Sequence, residues 1–519
     1  MAKRAILNAA IYVGGGEVIP KGFVLWDRGV IEGVGGVSAF PGESDVEVED
    51  LPGKLVLPGL VDSHLHLVGY ALSLRRINLA GTRSVDEALG WIAAHVDRLG
   101  KGEWLRGRGW DKQHWGLDRF PDRLLLDRVT PDNPAVLSSR DGHLVWVNSA
   151  GLACLGLDRG EIQVEGGEVE TDTTGRPTGI FKEKAADLVL RQVEEAGEID
   201  AGPAIREACR LLLAMGITGV HTSENPRSMS LLDQAAGAGS VPLKTVRMLE
   251  VAELDDIERA ARDHAATHIK ILADGALGSQ TAAMLEPYCG QPDNYGIMAV
   301  PKPKLLALAE RAVAAGFSLA VHAIGDKANR EVLDVFEQVR ATEPGRKAVL
   351  RVEHVQVLRP EEIPRFGKLG VIASVQPIHL VGDTPVAERY WGARSRYAYA
   401  FRSILDTGGR LAFGSDAPIE DPDPLLGLHA AVTRTDPNGR DATPWYPEER
   451  ITVSEAIDAY TAGAALAAGT SGAGRITAGM PADLTVVDRD ITGPDPDAIL
   501  DTHVVLTIAN GDPFHPGPS

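Results

Sequence analysis

The sequence is poor in cysteine: Cys154, Cys209 and Cys289 are the three in the chain, an odd number at wide spacings. That excludes a disulfide framework and a cysteine zinc motif, and it fits a reducing cytosol. Long apolar runs are missing too, and no stretch reaches the roughly 18 residues of a membrane span. The N-terminal MAKRAILNAAIYVGGG starts basic and apolar, as a secretory leader does. Its apolar patch is short, however, and it ends in glycines with no clear cleavage site. It reads as a strand and turn, and the expected location is cytoplasmic. Positive charge is in deficit, with 52 Lys and Arg against 72 Asp and Glu, a net charge of −20. Such a surface repels phosphate backbones and anionic lipid, which argues against nucleic acid and membranes as partners. Internal repeats and low-complexity tracts are absent. GALGS lacks the lysine and spacing of a phosphate-binding loop.

What remains is a chain of 519 residues, 44% apolar and 24% charged, with the composition of a soluble globular protein. One ordinary core cannot account for that length, but a large barrel with smaller domains can. Residues 1–58 and 470–519 read as short strands with glycine turns, and the two ends are expected to pair into one small β-sandwich domain. Between them, strands alternate with amphipathic helices. Eight strands are expected: 60–66, 217–223, 244–251, 268–274, 318–326, 349–356, 371–377 and 410–416. Eight strand–helix units make a (β/α)8 TIM barrel, assigned to residues 59–74 and 206–469. Residues 75–205 do not fit this count. They read as an insertion after the first barrel strand, expected over the barrel mouth.

The stretch GLVDSHLH ends the first barrel strand. Residues i and i+2 of a strand face the same side, so His64 and His66 project together at the end where barrel active sites lie. Other strands carry polar residues in apolar surroundings: Lys270 in HIKILAD, His322 in AVHAIGD, His354 in RVEHVQ and Asp416 in AFGSDAP. A buried lysine and a buried aspartate are costly without compensation, and divalent metal ions supply it. Imidazole and carboxylate suit zinc and similar ions.

PGLVDSHLH, IKILADGALGS, VHAIGD, RVEHVQ and FGSDAP together resemble the amidohydrolase superfamily, and within it the amidohydrolase-3 group that includes N-substituted formamide deformylases. GRITAGMPADLTVVDRD resembles that superfamily's return to the β-domain, and RGRGWDKQHW and SSRDGHLVWVNSAGL resemble this branch's insertion. The resemblance implies two divalent ions, with zinc as the expected metal. His64, His66 and Asp416 would hold one, and His322 and His354 the other. Lys270 would bridge them after carboxylation; otherwise it pairs unmodified with Asp274 or Asp416 in a one-metal site. Asp416 would also move the proton from the attacking water to the leaving nitrogen, unless it is a ligand only.

His143 would bind substrate or the developing oxyanion, or else hold the insertion together. Trp110, Asp111 and His221 are further candidates for binding substrate, with core packing the competing role for Trp110 and His221. Trp104, Trp110, Trp115 and Trp146 suggest a partly apolar substituent, if they are not core. The implied reaction is hydrolysis of a C–N amide bond, N-formyl or N-acyl, in a small molecule. Its rivals on the same site are deamination and hydrolysis of an ester, carbamate or cyclic imide. Mononuclear deaminases of the superfamily carry a glutamate shortly after the strand-five histidine; here His322 is followed by AIGD. All six candidate ligand positions are filled, which argues against a non-catalytic binding protein. Related enzymes are often dimers, so a homodimer is expected.

Overall fold

The computed structural model describes residues 3–517 apart from 43–44, 113, 140–143, 159–161, 165–166, 197–200, 252, 254–256, 258–264, 437–442 and 471. The chain divides into two compact units, Met1–Tyr70 with Ile205–Ser519, and Ala71–Ala204. The second unit corresponds to the insertion placed at 75–205.

In the first unit the two chain ends build one continuous eight-stranded sheet. Leu55–Pro58 joins the N-terminal strands to Leu484–Val487 in antiparallel register, with Val56 opposite Val486. Alternation of apolar residues along these strands gives the sheet a buried face of Ile6, Ile11, Val24, Val56, Val486 and Ile508. Leu55–Pro58 then runs through Gly59 directly into the barrel. A Cβ at Gly59 would collide with Thr218 and Asp483, so only glycine passes this junction.

The barrel has eight parallel strands in sequential order: β1 (Leu60–Leu65), β2 (Ile217–Glu224), β3 (Lys244–Glu250), β4 (His268–Leu272), β5 (Ser318–Ala323), β6 (Leu350–His354), β7 (Ile372–Val375) and β8 (Arg410–Phe413). All eight fall on the segments read from the sequence. Most of their residues are buried on both sides, which is why they appear as nearly continuous apolar runs. The seam between β8 and β1 is closed just past β8. Asp416 N donates to His64 O at 2.7 Å, and His66 N to Ala417 O at 2.9 Å. Asp62 holds the same seam: its carboxylate accepts His64 N at 3.0 Å and Ser415 Oγ at 2.6 Å. A Cβ at Gly414 would sit 2.5 Å from His64 N, so the close approach requires glycine.

The second unit is a mixed six-stranded sheet. Trp110, on Leu105–Trp110, corrects a sequence expectation: it is fully buried against Trp115, Trp146 and Phe120 and belongs to this unit's core. Its Nε1 donates to Leu137 O at 2.8 Å, so its polar atom is satisfied within the core as well. Trp115 and Trp146 share that core, whereas Trp104 is partly buried beside a neighbouring apolar cluster. Asp111 follows the same strand and accepts His114 N at 3.1 Å. His143 lies outside the described residues.

No helix among the described residues is long and apolar enough to cross a membrane. Of the three free cysteines, Cys154 and Cys289 are exposed and Cys209 is buried. Burial pushes the Cys209 thiol up to about 12, which suppresses the reactive thiolate. Native protein at pH 8 should therefore take up two equivalents of iodoacetamide and denatured protein three. Mass spectrometry of native samples that finds Cys209 alkylated as fast as Cys154 would contradict this burial.

Candidate metal centre

A pocket of about 400 Å³ opens at the C-terminal ends of the barrel strands. Its lining includes His64, His66, Lys270, His322, His354 and Asp416, contributed by or next to β1, β4, β5, β6 and β8. The period-two geometry of β1 accounts for the first pair. Two of the six occupy left-handed backbone, His354 at φ +74° and Asp416 at φ +61°. Non-glycine residues there are strained, and such strain concentrates where a side chain must be aimed.

Asp416 sits at the centre. Its Oδ1 lies 3.5 Å from His64 Nε2 and 3.3 Å from His66 Nε2. Burial alone would raise its carboxyl, but the His66 hydrogen bond and the neighbouring His64 and His354 rings outweigh burial and hold it well below the usual carboxylate range.

The far nitrogens of the histidines are committed. His64 Nδ1 contacts Glu353 Oε2 at 2.6 Å, His66 Nδ1 contacts Ser223 O at 2.7 Å, and His354 Nδ1 contacts Gln376 Oε1 at 2.9 Å. Each contact fixes the ring and leaves Nε2 for the pocket, the usual arrangement around metal-ligating histidine. His322 is turned the other way, with Nε2 3.1 Å from Gly275 O, so Nδ1 is its available nitrogen. Burial, then the charge of Lys270, lowers His64 to about 4, which keeps it a neutral donor at neutral pH.

Lys270 is 2% exposed, with Nζ 3.1 Å from His64 Nε2. Burial lowers its pKa below the ordinary lysine value. The donor set is therefore neutral imidazole, carboxylate and a deprotonatable amine on converging strand ends. It fits a borderline divalent ion such as zinc.

The sequence reading missed several residues. Beneath the site, Glu353 joins His64 to the fully buried Arg351, whose Nε donates to Glu353 Oε1 at 2.5 Å. Arg351 also donates to Ser63 O at 2.5 Å and Ser374 Oγ at 2.8 Å. His221 corrects another expectation. It is buried, with Nδ1 2.8 Å from Arg351 Nη1, and it belongs to this supporting network instead of lining the pocket. The signal for the network was in RVEH, where Arg351 and Glu353 alternate on one face of a strand. The pocket also receives His379, Asp383 and Glu420 from the segments after β7 and β8, where strand patterning gave no indication.

Comparison with known proteins agrees with this geometry. A profile described as the amidohydrolase family matches residues 47–515. The chain is 32% identical over 503 residues to the Bacillus subtilis protein YtcJ, covering 94% of each. It is 30% identical over 525 residues to the N-substituted formamide deformylase of Arthrobacter pascens, covering 97% of this chain and 94% of that one. The crystal structure of an uncharacterized metal-dependent hydrolase from Pyrococcus horikoshii aligns with a TM-score of 0.77 at 26% identity, covering 95% of this chain and 99% of that chain.

Proposed function

The chain belongs to the amidohydrolase family, and from this premise we propose that it hydrolyses a C–N amide bond, N-formyl or N-acyl, of a small molecule at two divalent ions. Zinc is the ion this donor set favours. The observation that carries the reading is the position of Asp416, between His64 and His66 and in one pocket with Lys270, His322 and His354. His64, His66 and Asp416 would hold one ion; His322 and His354 would hold the other.

Lys270 supports the binuclear form. Its buried amine, with a pKa lowered by burial, would add to carbon dioxide, forming an N–C bond and releasing one proton, and the product would be an anion suited to cations. When bound, an ion here would supply polarisation of a carbonyl and acidification of a water. Asp416, ionised and beside both β1 histidines, would accept a proton from the attacking water and return it to the leaving nitrogen. Glu353 and Gln376 keep the Nε2 atoms of His64 and His354 aimed inward throughout. The amide class is favoured by the similarity to the formamide deformylase.

The test is metal content by plasma mass spectrometry on protein purified without added metal, together with amine release from a panel of N-formyl and N-acyl compounds. We expect about two ions per chain, falling to one or fewer in Lys270→Ala, and amine released only by metal-loaded protein. Single occupancy unchanged by Lys270→Ala would remove the bridge. Cleavage of esters but of no amide in the panel would remove the bond class.

A further inference from the structure

Asp416 has two carboxylate oxygens, and the structure gives each its own histidine neighbours. Oδ1 faces His64 and His66. Oδ2 lies 4.0 Å from His379 Nε2. His354, His379 and Asp416 each offer a ligand atom, and these three lie within 4.8 Å of one another, as do those of His64, His66 and Asp416.

His379 opens the helix His379–Trp391 that follows β7, the one region of the barrel rim between β4 and β8 to which the sequence assigns no ligand. Its side chain is 9% exposed, and its Nε2 is buried with no hydrogen-bond partner among the described residues. A buried nitrogen left unpaired beside a buried carboxylate requires an explanation. A direct N–H···O⁻ bond would close to about 2.7–2.9 Å. The observed 4.0 Å is too long for one, and a small closure brings it to the roughly 3.3–3.6 Å between ligand atoms of a tetrahedral ion with bonds of about 2.0–2.2 Å.

The surrounding contacts lock this arrangement. Gln376, between β7 and that helix, holds His354 Nδ1 at 2.9 Å and so leaves His354 Nε2 for the pocket. The backbone N of His379 donates to Gln376 O at 3.1 Å, which fixes one residue against the other. The rings of His354 and His379 lie nearly parallel, 21° apart, with centroids separated by 6.3 Å.

We propose that His379 is a nitrogen donor to the ion on the His354 side, so that Asp416 bridges two ions with one oxygen toward each histidine pair. This rests on the metal-dependent reading above, and it adds to His322 and Lys270 without replacing them. A barrel strand that ends in no ligand thereby contributes one from the first residue of the helix beyond it, and the second ion gains an imidazole.

The experiment compares wild type, His379→Asn and His379→Gly, each reconstituted with zinc and dialysed against graded chelator. Metal per chain is read by plasma mass spectrometry and folding by far-ultraviolet circular dichroism. Wild type is expected to hold two ions. Both variants should keep the first and release the second at a free-zinc level at least about tenfold higher. Free imidazole should restore the second ion in His379→Gly, which a merely structural role would not produce. Variants that hold both ions as wild type does overturn the inference and leave the metal-dependent reading intact. A wild type that takes up no ion overturns both.

Discussion

Asp416→Asn is expected to lower kcat for a responsive amide by about 10²–10⁴-fold, the range that a positioned acid–base group contributes. Asparagine keeps the shape and one oxygen toward His64 and His66 but cannot accept and return a proton. The wild-type carboxyl is held well below the usual range by the histidines around it, after burial is outweighed, so it is ionised across the neutral region. Loss of the charge also weakens the hold on metal, and metal content must be read on the same sample. A variant that retains its metal and more than a third of wild-type turnover would show that Asp416 moves no proton.

Arg351→Met is expected to be the most destabilising single change below the pocket. It removes the guanidinium that donates to Glu353, Ser63 O and Ser374 and contacts His221, and it leaves a buried carboxylate held by His64 alone. Breaking a buried ion pair from one side costs about 3–5 kcal/mol, readable as a shifted urea midpoint of metal-free protein. The pH dependence has a definite sign. Burial raises the Glu353 carboxyl, but Arg351 and His64 outweigh it and hold it well below its ordinary value. The stabilisation is therefore full above the unfolded carboxyl's pKa of about 4.3 and is lost as pH falls through the lower folded value. The gap between wild type and Arg351→Met should narrow on acidification below that point. The double variant Arg351→Met, Glu353→Leu should recover part of the loss, because it leaves no unpaired charge. Equal midpoints for wild type and Arg351→Met at pH 7 would show that the network carries no stability.

Both predictions concern residues on strands the sequence displays openly, but the two became legible to different degrees. Asp416 stands at the end of an apolar run, where a carboxylate is conspicuous. Arg351 and Glu353 lie in an equally visible run, yet their meaning depends on what the barrel places beside them. Glu353 meets His64 from a strand 289 residues away in sequence. Spacing reports which face of a strand a residue takes; it does not report which side chain meets it across a closed barrel.

The same limit explains the corrections. Trp110 and His221 each had two roles consistent with local pattern, and burial selected the core for one and the Arg351 network for the other. His379 had no local signal, because it opens the helix His379–Trp391 just past the strand, where strand alternation no longer assigns a face.

The sequence read the two chain ends as one β-sandwich domain, and the structure joins them in a single eight-stranded sheet. The sequence by itself determined the eight parallel strands and the positions that meet at the barrel rim. Those follow from hydrophobic period and from the rule that strand ends converge in a closed barrel. Only the tertiary structure decided which histidine nitrogen faces the pocket, that Arg351 and Glu353 stand beneath it, and that His379 lies within 4.0 Å of Asp416. Those depend on contacts between segments far apart in the chain, and a hydrogen-bond partner can be assigned only after the backbone has brought both groups within about 3 Å.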